Sequence, residues 1–165
     1  MHVGGTLHLG LNPHTPYRRK RNMLTEPNTP LIVAAAFSAI AALLHVGIVI
    51  GGAPWYRFFG AGERMTCAAA AGRVYPAIAT FGIATVLALW SAYALSGAGI
   101  IAPLPVLRWA LITITGMYLV RGLAIVPLLV FARARSTPFL LWSSLVCTVF
   151  GGVHLLGLSR VWSLV

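Results

Sequence analysis

Arg121 is the residue whose type and position most directly indicate chemistry. It lies near the middle of an apolar run, Trp109 to Phe131, that is long enough to cross a lipid bilayer as a helix. An arginine at that depth costs about 2.5–3.5 kcal/mol on insertion scales, so it normally faces a bundle interior or water. Two interpretations stand side by side: a site for an anion or a lipid headgroup, or a structural arginine satisfied inside the bundle.

The chain offers few acceptors for this guanidinium. Its two acids are Glu26, near the N-terminus, and Glu63, in a connection between apolar runs. A re-entrant dip of that connection would bring Glu63 toward Arg121, and an Arg–Glu pair would lower the energy of the buried charge. The alternative acceptors are backbone carbonyls, because Pro127 leaves the carbonyl of Leu123 without its helical donor.

Other polar residues are predicted at related depths in the membrane. Depth is measured from the side that holds the connections between the first and second and between the third and fourth apolar runs. At 1.5 Å per residue, Arg121 and Thr148 lie about 15 Å deep and His45 about 8 Å. Tyr118 is one turn from Arg121 on the same helix face. We therefore predict a polar ligand-binding pocket lined by His45, Glu63, Thr80, Tyr118, Arg121, Ser144 and Thr148. For any single serine or threonine, the favoured alternative is a hydrogen bond to the preceding turn of its own helix.

Two histidines inside apolar runs, His45 and His154, raise the question of a haem. Bis-histidine ligation needs both imidazoles at one depth, whereas these lie about 14 Å apart along the membrane normal. We expect each to be a hydrogen-bonded residue of the bundle. The sequence contains no GxSxG, P-loop or HExxH motif, so we assign no catalytic residue, no metal ligand and no cofactor.

The elements that position these residues are four apolar runs. Hydrophobic residues make up 59% of the 165 residues and charged residues 8%, against about 25% charged in soluble domains. The runs are continuous rather than alternating, which indicates helices and not barrel strands. We predict an all-α fold, a four-transmembrane-helix bundle with spans at 31–50, 74–95, 109–131 and 139–158. Close helix packing is expected along one face of the last span, at Ser143, Cys147, Gly151 and His154.

An interfacial segment is predicted between helices 1 and 2. Pro54 is suited to open a short helix there. Trp55, Phe58 and Phe59 are expected on one side of it, as in an amphipathic segment that lies at a membrane surface, and Tyr56 belongs to the same interfacial loop.

The N-terminal region differs in composition from the rest. Residues 1–30 are predicted to be a flexible basic tail, and residues 31–165 the transmembrane domain. The basic run at 18–21 suits anionic lipid headgroups, and no nucleic-acid binding is expected because no folded basic face with interleaved aromatics accompanies it. Six basic residues fall on the side of the termini and five on the other, which favours cytoplasmic termini. A start at Met23 would reverse that orientation.

Three segments carry a resemblance: HVGIVIGGAPWYRFFGAGERM, MYLVRGLAIVPL and WSSLVCTVFGGVHLLG. Through them the chain, from about Leu31 to Arg160, resembles small four-span membrane proteins of bacteria, and it is DoxX-like at the level of span count. The resemblance implies a multi-pass protein of the bacterial inner membrane and implies no particular activity. The residues that it marks are Trp55, Tyr56, Phe58, Glu63 and Arg121.

We therefore expect a binding or accessory membrane protein rather than an enzyme, one that holds a lipid, a quinone or a partner subunit near Arg121. Membrane lipids, a partner membrane subunit and a second copy of the chain are the expected partners. One alternative is a small proton-coupled transporter, in which His45 would have to replace the missing coupling carboxylate. The other is the membrane subunit of an oxidoreductase that carries haem or a redox thiol pair.

Overall fold

The computed structural model describes residues 27–131 and 138–162. The predicted basic tail before residue 27, Glu26, and the two arginines counted for orientation at 133 and 135 lie outside the described residues. The chain forms seven helices within the described ranges, and we label them in chain order. They are α1 (Thr29–Gly51), α2 (Ala53–Phe58), α3 (Glu63–Ala70), α4 (Tyr75–Gly97), α5 (Leu107–Leu123), α6 (Ile125–Phe131) and α7 (Pro138–Val161).

Among the described residues, four helical segments are long and apolar enough to cross a membrane: Thr29–Gly51, Tyr75–Gly97, Leu107–Pro127 and Phe139–Val161. The predicted all-α bundle with four membrane-spanning helices is therefore confirmed, and the chain has the features of a multi-pass membrane protein. The end where α1 finishes and α4 begins is called the connection end below. The opposite end, where α1 begins and α7 finishes, is called the terminal end.

The terminal end is closed by a small core around Asn28 and Leu31. The Asn28 carboxamide caps α1 by accepting from Leu31 N at 3.4 Å, and its Nδ2 donates to the carbonyl of Gly157 on α7 at 2.8 Å. Leu31 is fully buried with Ala98 and Leu111. The polar cap and the apolar contacts thus join α1, α5, α7 and the end of α4 at one point. The cap also provides a hydrogen-bond acceptor for a backbone N–H at the start of α1, which has no partner within the helix.

The third span is interrupted at Ala124, between α5 and α6. The N–H of Ala124 still donates to Val120 O at 2.9 Å, but Pro127 has no N–H to offer the carbonyl of Leu123. The break falls where the sequence predicts a freed carbonyl, three residues after Arg121.

The connection end is covered by α2 and α3. A short helix begins beside Pro54, as predicted, and turns at Gly52, Gly60 and Gly62 with positive φ separate it from its neighbours. Phe58 is 81% exposed, whereas Tyr56 is 3% exposed and packs into the bundle. Trp55 and Phe58 are therefore exposed, as expected for an aromatic surface segment, whereas Tyr56 of the same loop points inward.

The spanning helices pack unevenly around the bundle. α1 packs closely along α4 and also along α7, and α5 packs closely along α7. In contrast, α4 meets α5 over a shorter stretch and barely touches α7. The helices are therefore closely packed on the α1 side of the bundle, and a gap separates α4 from the α5–α7 pair.

Candidate ligand-binding cavity

A cavity of about 880 Å³ fills the space that this separation leaves. Its walls are the connection-end halves of α1, α4, α5 and α7, and Phe59, which follows α2, covers one end of it. Its volume lies within the range of about 300–1,000 Å³ typical of small-molecule sites. On the open side its rim is apolar and exposed, with Ile83 and Val86 from α4, Met117 from α5, and Trp142 and Val146 from α7.

Arg121 is the cationic side chain in the lining. It stands on the last full turn of α5 and remains exposed in the cavity rather than packed into the bundle. Its Nη2 donates to Ser143 Oγ of α7 at 2.9 Å. A guanidinium carries five N–H donors, and within the described residues Ser143 is the one hydrogen-bond partner of this side chain. Most of its hydrogen-bonding capacity is therefore available to a bound group.

The bottom of the cavity, toward the terminal end, is aromatic. The ring of Tyr118 packs edge-on against Trp90 and Phe150, with centroids 5.0 and 5.5 Å apart. The Tyr118 hydroxyl lies 3.0 Å from Ser38 Oγ on α1. Because that hydroxyl already has a partner, Tyr118 offers the cavity mainly an apolar ring surface.

His45 places an imidazole in the cavity wall. Its Nδ1 lies 2.7 Å from the carbonyl oxygen of Ala41, one turn earlier on α1. A carbonyl only accepts, so Nδ1 carries the proton in this bond and Nε2 is the remaining polar atom of the ring. The prediction of a hydrogen-bonded histidine is confirmed for His45.

Two phenylalanines line the connection end of the cavity. Phe59 lines the cavity from the α2–α3 connection, and Phe139 lines it from the start of α7. A Cβ added to Gly60 would lie 2.5 Å from Cγ of Phe139, so the Phe139 ring rests directly on the backbone of Gly60. We call Phe59, Gly60 and Phe139 the aromatic lid.

The lid is held to α4 by one buried hydrogen bond. Tyr56, on α2, donates its hydroxyl to Thr80 Oγ1 at 3.0 Å, and both side chains are buried. On the other side of α2, the Trp55 ring lies against the backbone of Gly51 at the end of α1. The position of α2 over the cavity is therefore set by contacts with α1 and α4.

The structure brings three of the seven predicted pocket residues to this cavity, namely His45, Tyr118 and Arg121. Thr80 instead binds Tyr56, as described above. Thr148 donates to the Ser144 carbonyl at 2.9 Å, which confirms the alternative of a local back-bond. Ser144 is 1% exposed, and its hydroxyl has no partner among the described residues.

Glu63 is also outside the cavity. It is exposed in the first turn of α3 and, within the described ranges, forms no ion pair with Arg121. The dip that would have paired the two residues is absent because α2 and α3 lie across the connection end instead of entering the bundle. This leaves Ser143, a hydroxyl, as the partner of the charge.

The pocket prediction missed several residues of the cavity lining: Ser143 and Cys147 on α7, Phe59 and Phe139 of the lid, and Trp90 and Phe150 at the bottom. Ser143 and Cys147 are four residues apart and so share a face of α7. That face was predicted to pack against a helix, and it does so farther along, where Gly151 meets Leu119 closely. The sequence signal that could have identified Ser143 was Arg121 itself, because a buried guanidinium needs an acceptor and Ser143 supplies a hydroxyl on the facing helix.

His154 lies below the cavity and differs from its prediction. It is fully buried and stacks on Tyr118 with centroids 5.4 Å apart. Both ring nitrogens lack a hydrogen-bond partner among the described residues, so the expected hydrogen bond is not formed. His45 and His154 stand in opposite halves of the bundle, as the depth argument predicts.

A second cavity of about 650 Å³ lies at the connection end, outside the bundle, between α3 and the start of α4. Arg64, Arg73 and Tyr75 line it together with the free thiol of Cys67. Within the described residues, no group of three histidine, cysteine or acidic side chains is arranged to hold a metal ion.

Known proteins supply no assignment for either cavity. No protein family, no curated protein and no solved structure matches this chain.

Proposed function

We propose that this chain is a membrane-embedded binding protein that holds a lipid-like amphiphile in the Arg121 cavity. The observation that carries the proposal is a guanidinium in an apolar cavity that has, within the described residues, one protein hydroxyl as its hydrogen-bond partner. A charge at that depth is costly unless it is paired, and the chain's two acids are Glu26 and Glu63. A ligand that brings its own acceptor group would provide the missing partner.

The shape of the cavity supports an amphiphile over a water-soluble ligand. Its open side has an apolar rim between α4 and the α5–α7 pair, the surface that faces lipid tails in a bilayer. The aromatic lid lies at the connection end, between the cavity and the aqueous side. A ligand would therefore reach Arg121 sideways from the membrane.

We further propose the bacterial inner membrane as the location, with both termini in the cytoplasm. The location follows from the resemblance to small four-span bacterial proteins. The orientation follows from the excess of basic residues on the side of the termini.

The main variant of the binding proposal replaces the amphiphile with a partner membrane subunit, which would insert a side chain or carbonyl into the same cavity.

Copurification tests the proposal directly. The full chain is purified in a mild detergent, and bound amphiphiles are identified by native mass spectrometry and lipid extraction. We expect a bound species in the wild-type protein and a clearly lower occupancy in Arg121→Leu, because one charge-assisted hydrogen bond contributes about 1.5–3 kcal/mol, which corresponds to at least about tenfold in affinity.

The matched control is Arg57→Leu. Arg57 is an exposed arginine of α2 that does not line the cavity, so its loss should leave occupancy unchanged. Equal occupancy in both variants, or wild-type protein that carries no amphiphile, would contradict the proposal.

A proton-coupled transporter is the second candidate, and the position of His45 favours it. The imidazole shares the cavity with Arg121, so protonation of His45 would change the charge next to a bound ligand. This function requires uptake of the ligand into proteoliposomes driven by a pH gradient and abolished in His45→Ala. Binding that persists in His45→Ala without such uptake would leave the simple binding function.

A further inference from the structure

We infer that the cavity selects an amphiphile with one carboxylate on a single apolar chain. The inference rests on the proposed function and specifies its ligand class. The first argument is charge: Arg121 contributes one positive charge, and no acidic side chain lines the cavity within the described residues. A neutral quinone would leave that charge uncompensated, and a dianionic phosphate monoester would exceed it.

The second argument is the geometry of the available donors. One Nη2 proton is directed to Ser143, which leaves four N–H groups of the planar guanidinium. A carboxylate is planar and accepts two parallel N–H bonds from such a fork. The Ser143 hydroxyl, held 2.9 Å from Nη2, fixes the orientation of the guanidinium and therefore the position of the bound carboxylate.

The third argument is depth. The Arg121 guanidinium is bonded to Ser143, five residues after Pro138 at the start of α7, which places it about 8 Å below the connection end. A phospholipid headgroup would have to leave the interface and lose its hydration to reach that level. A carboxylate is small enough to enter from the side, beneath the aromatic lid.

The fourth argument is the remaining surface of the cavity. Trp90, Tyr118 and Phe150 form an aromatic bottom, and the Tyr118 hydroxyl is already bonded to Ser38. Leu44, Ile48 and Leu87 add aliphatic surface from α1 and α4. A single acyl chain needs no hydrogen bonds and gains from contact with such surface.

Fluorescence quenching by brominated amphiphiles tests this class, because Trp90 lines the cavity. The probes are dibromostearate, its methyl ester, and a phosphatidylglycerol that carries the same two brominated chains. They are titrated into the full-length protein in detergent at a pH at which the fatty acid is ionised. The difference between the wild type and Trp90→Phe isolates quenching of Trp90, at the bottom of the cavity, from quenching of the other tryptophans, including Trp142 on the rim.

Dibromostearate is expected to quench Trp90 with an affinity at least about tenfold higher than that of its methyl ester. Arg121→Leu is expected to remove that difference, and Arg57→Leu to preserve it. Unlabelled oleate should compete, whereas oleyl alcohol should compete weakly.

The possible failures separate the two levels of the proposal. If acid and ester quench Trp90 equally, or if the phospholipid quenches it best, the ligand class is wrong while an amphiphile still occupies the cavity. If no brominated probe quenches Trp90 above the Trp90→Phe background, the proposed function fails as well. Retained selectivity for the acid in Arg121→Leu would overturn the role given to the guanidinium.

Discussion

At the scale of single residues, the hydrogen-bond partner of Arg121 decides how its charge is accommodated. The sequence indicates a buried cation and names Glu63 and backbone carbonyls as candidate acceptors. The structure supplies Ser143 instead. Depth along a helix follows from residue number, but the direction of a side chain around the helix axis depends on packing, and this is why Thr148 and Ser144 were placed in the pocket wrongly.

The hydrogen bond from Tyr56 to Thr80 is predicted to stabilise the connection between α2 and α4. It joins two buried side chains at 3.0 Å. Tyr56→Phe should lower the free energy of unfolding by about 0.5–1.5 kcal/mol, the usual contribution of such a bond. Thermal unfolding and SDS titration in detergent measure the change.

Tyr75→Phe is the control for this substitution, because Tyr75 is 62% exposed. Its stability should be close to that of the wild type. In a double-mutant cycle with Thr80→Val, the two changes should be non-additive, since each removes the same bond. Strict additivity would show that the two hydroxyls do not interact.

At the scale of elements, close approach of α5 and α7 is what brings Arg121 to Ser143. The two helices meet at Gly122, where an added Cβ would lie 2.6 Å from the backbone nitrogen of Thr148. Small residues at such crossings allow backbones to approach in membrane bundles. The sequence predicted small-residue packing on α7, at Gly151, but gave no indication that Gly122 is the residue of α5 next to Arg121 that permits the contact.

Gly122→Ala is predicted to separate α5 from α7 and to destabilise the bundle by about 1–3 kcal/mol, as overpacking does. Gly116 provides a matched control on the same helix, because nothing lies within 4 Å of its added Cβ. Gly116→Ala should be neutral or stabilising by up to about 1 kcal/mol, since alanine favours helix. The unfolding midpoint should therefore fall in Gly122→Ala and stay unchanged or rise in Gly116→Ala. Equal shifts would contradict the assigned crossing point.

At the scale of the whole molecule, the sequence predicted the four spans to within about four residues at their ends. It predicted the effect of Pro127 on the Leu123 carbonyl but not the interruption of the third span at Ala124. Continuous apolar runs of bilayer length specify helices strongly because lipid offers the backbone no other partners. The cavity was less predictable. It arises because α4 stays close to α1 and barely touches α7, and pairwise helix packing of that kind leaves little trace in hydrophobic periodicity.

The topology predicts that the connection end and the terminal end lie on opposite sides of the membrane. Cys67 is exposed on α3 at the connection end. Ile101, between α4 and α5, is exposed at the terminal end. In cells, a membrane-impermeant maleimide should label Cys67 in a Cys147→Ala background. It should label an Ile101→Cys variant that lacks both native cysteines only after permeabilisation.

Labelling of both sites without permeabilisation would contradict the four-span arrangement. The reverse pattern, with the Ile101→Cys variant labelled first, would retain the four spans and invert the proposed orientation of the termini.

An experimental structure of the wild-type protein, taken from its native membrane into a lipid nanodisc, tests the central claim most directly. We predict elongated non-protein density in the cavity between α4, α5 and α7. Its polar end should lie about 2.7–2.9 Å from the Arg121 guanidinium, the distance of a charge-assisted hydrogen bond. A cavity filled by the protein's own side chains, with Arg121 bonded to protein groups alone, would contradict the account.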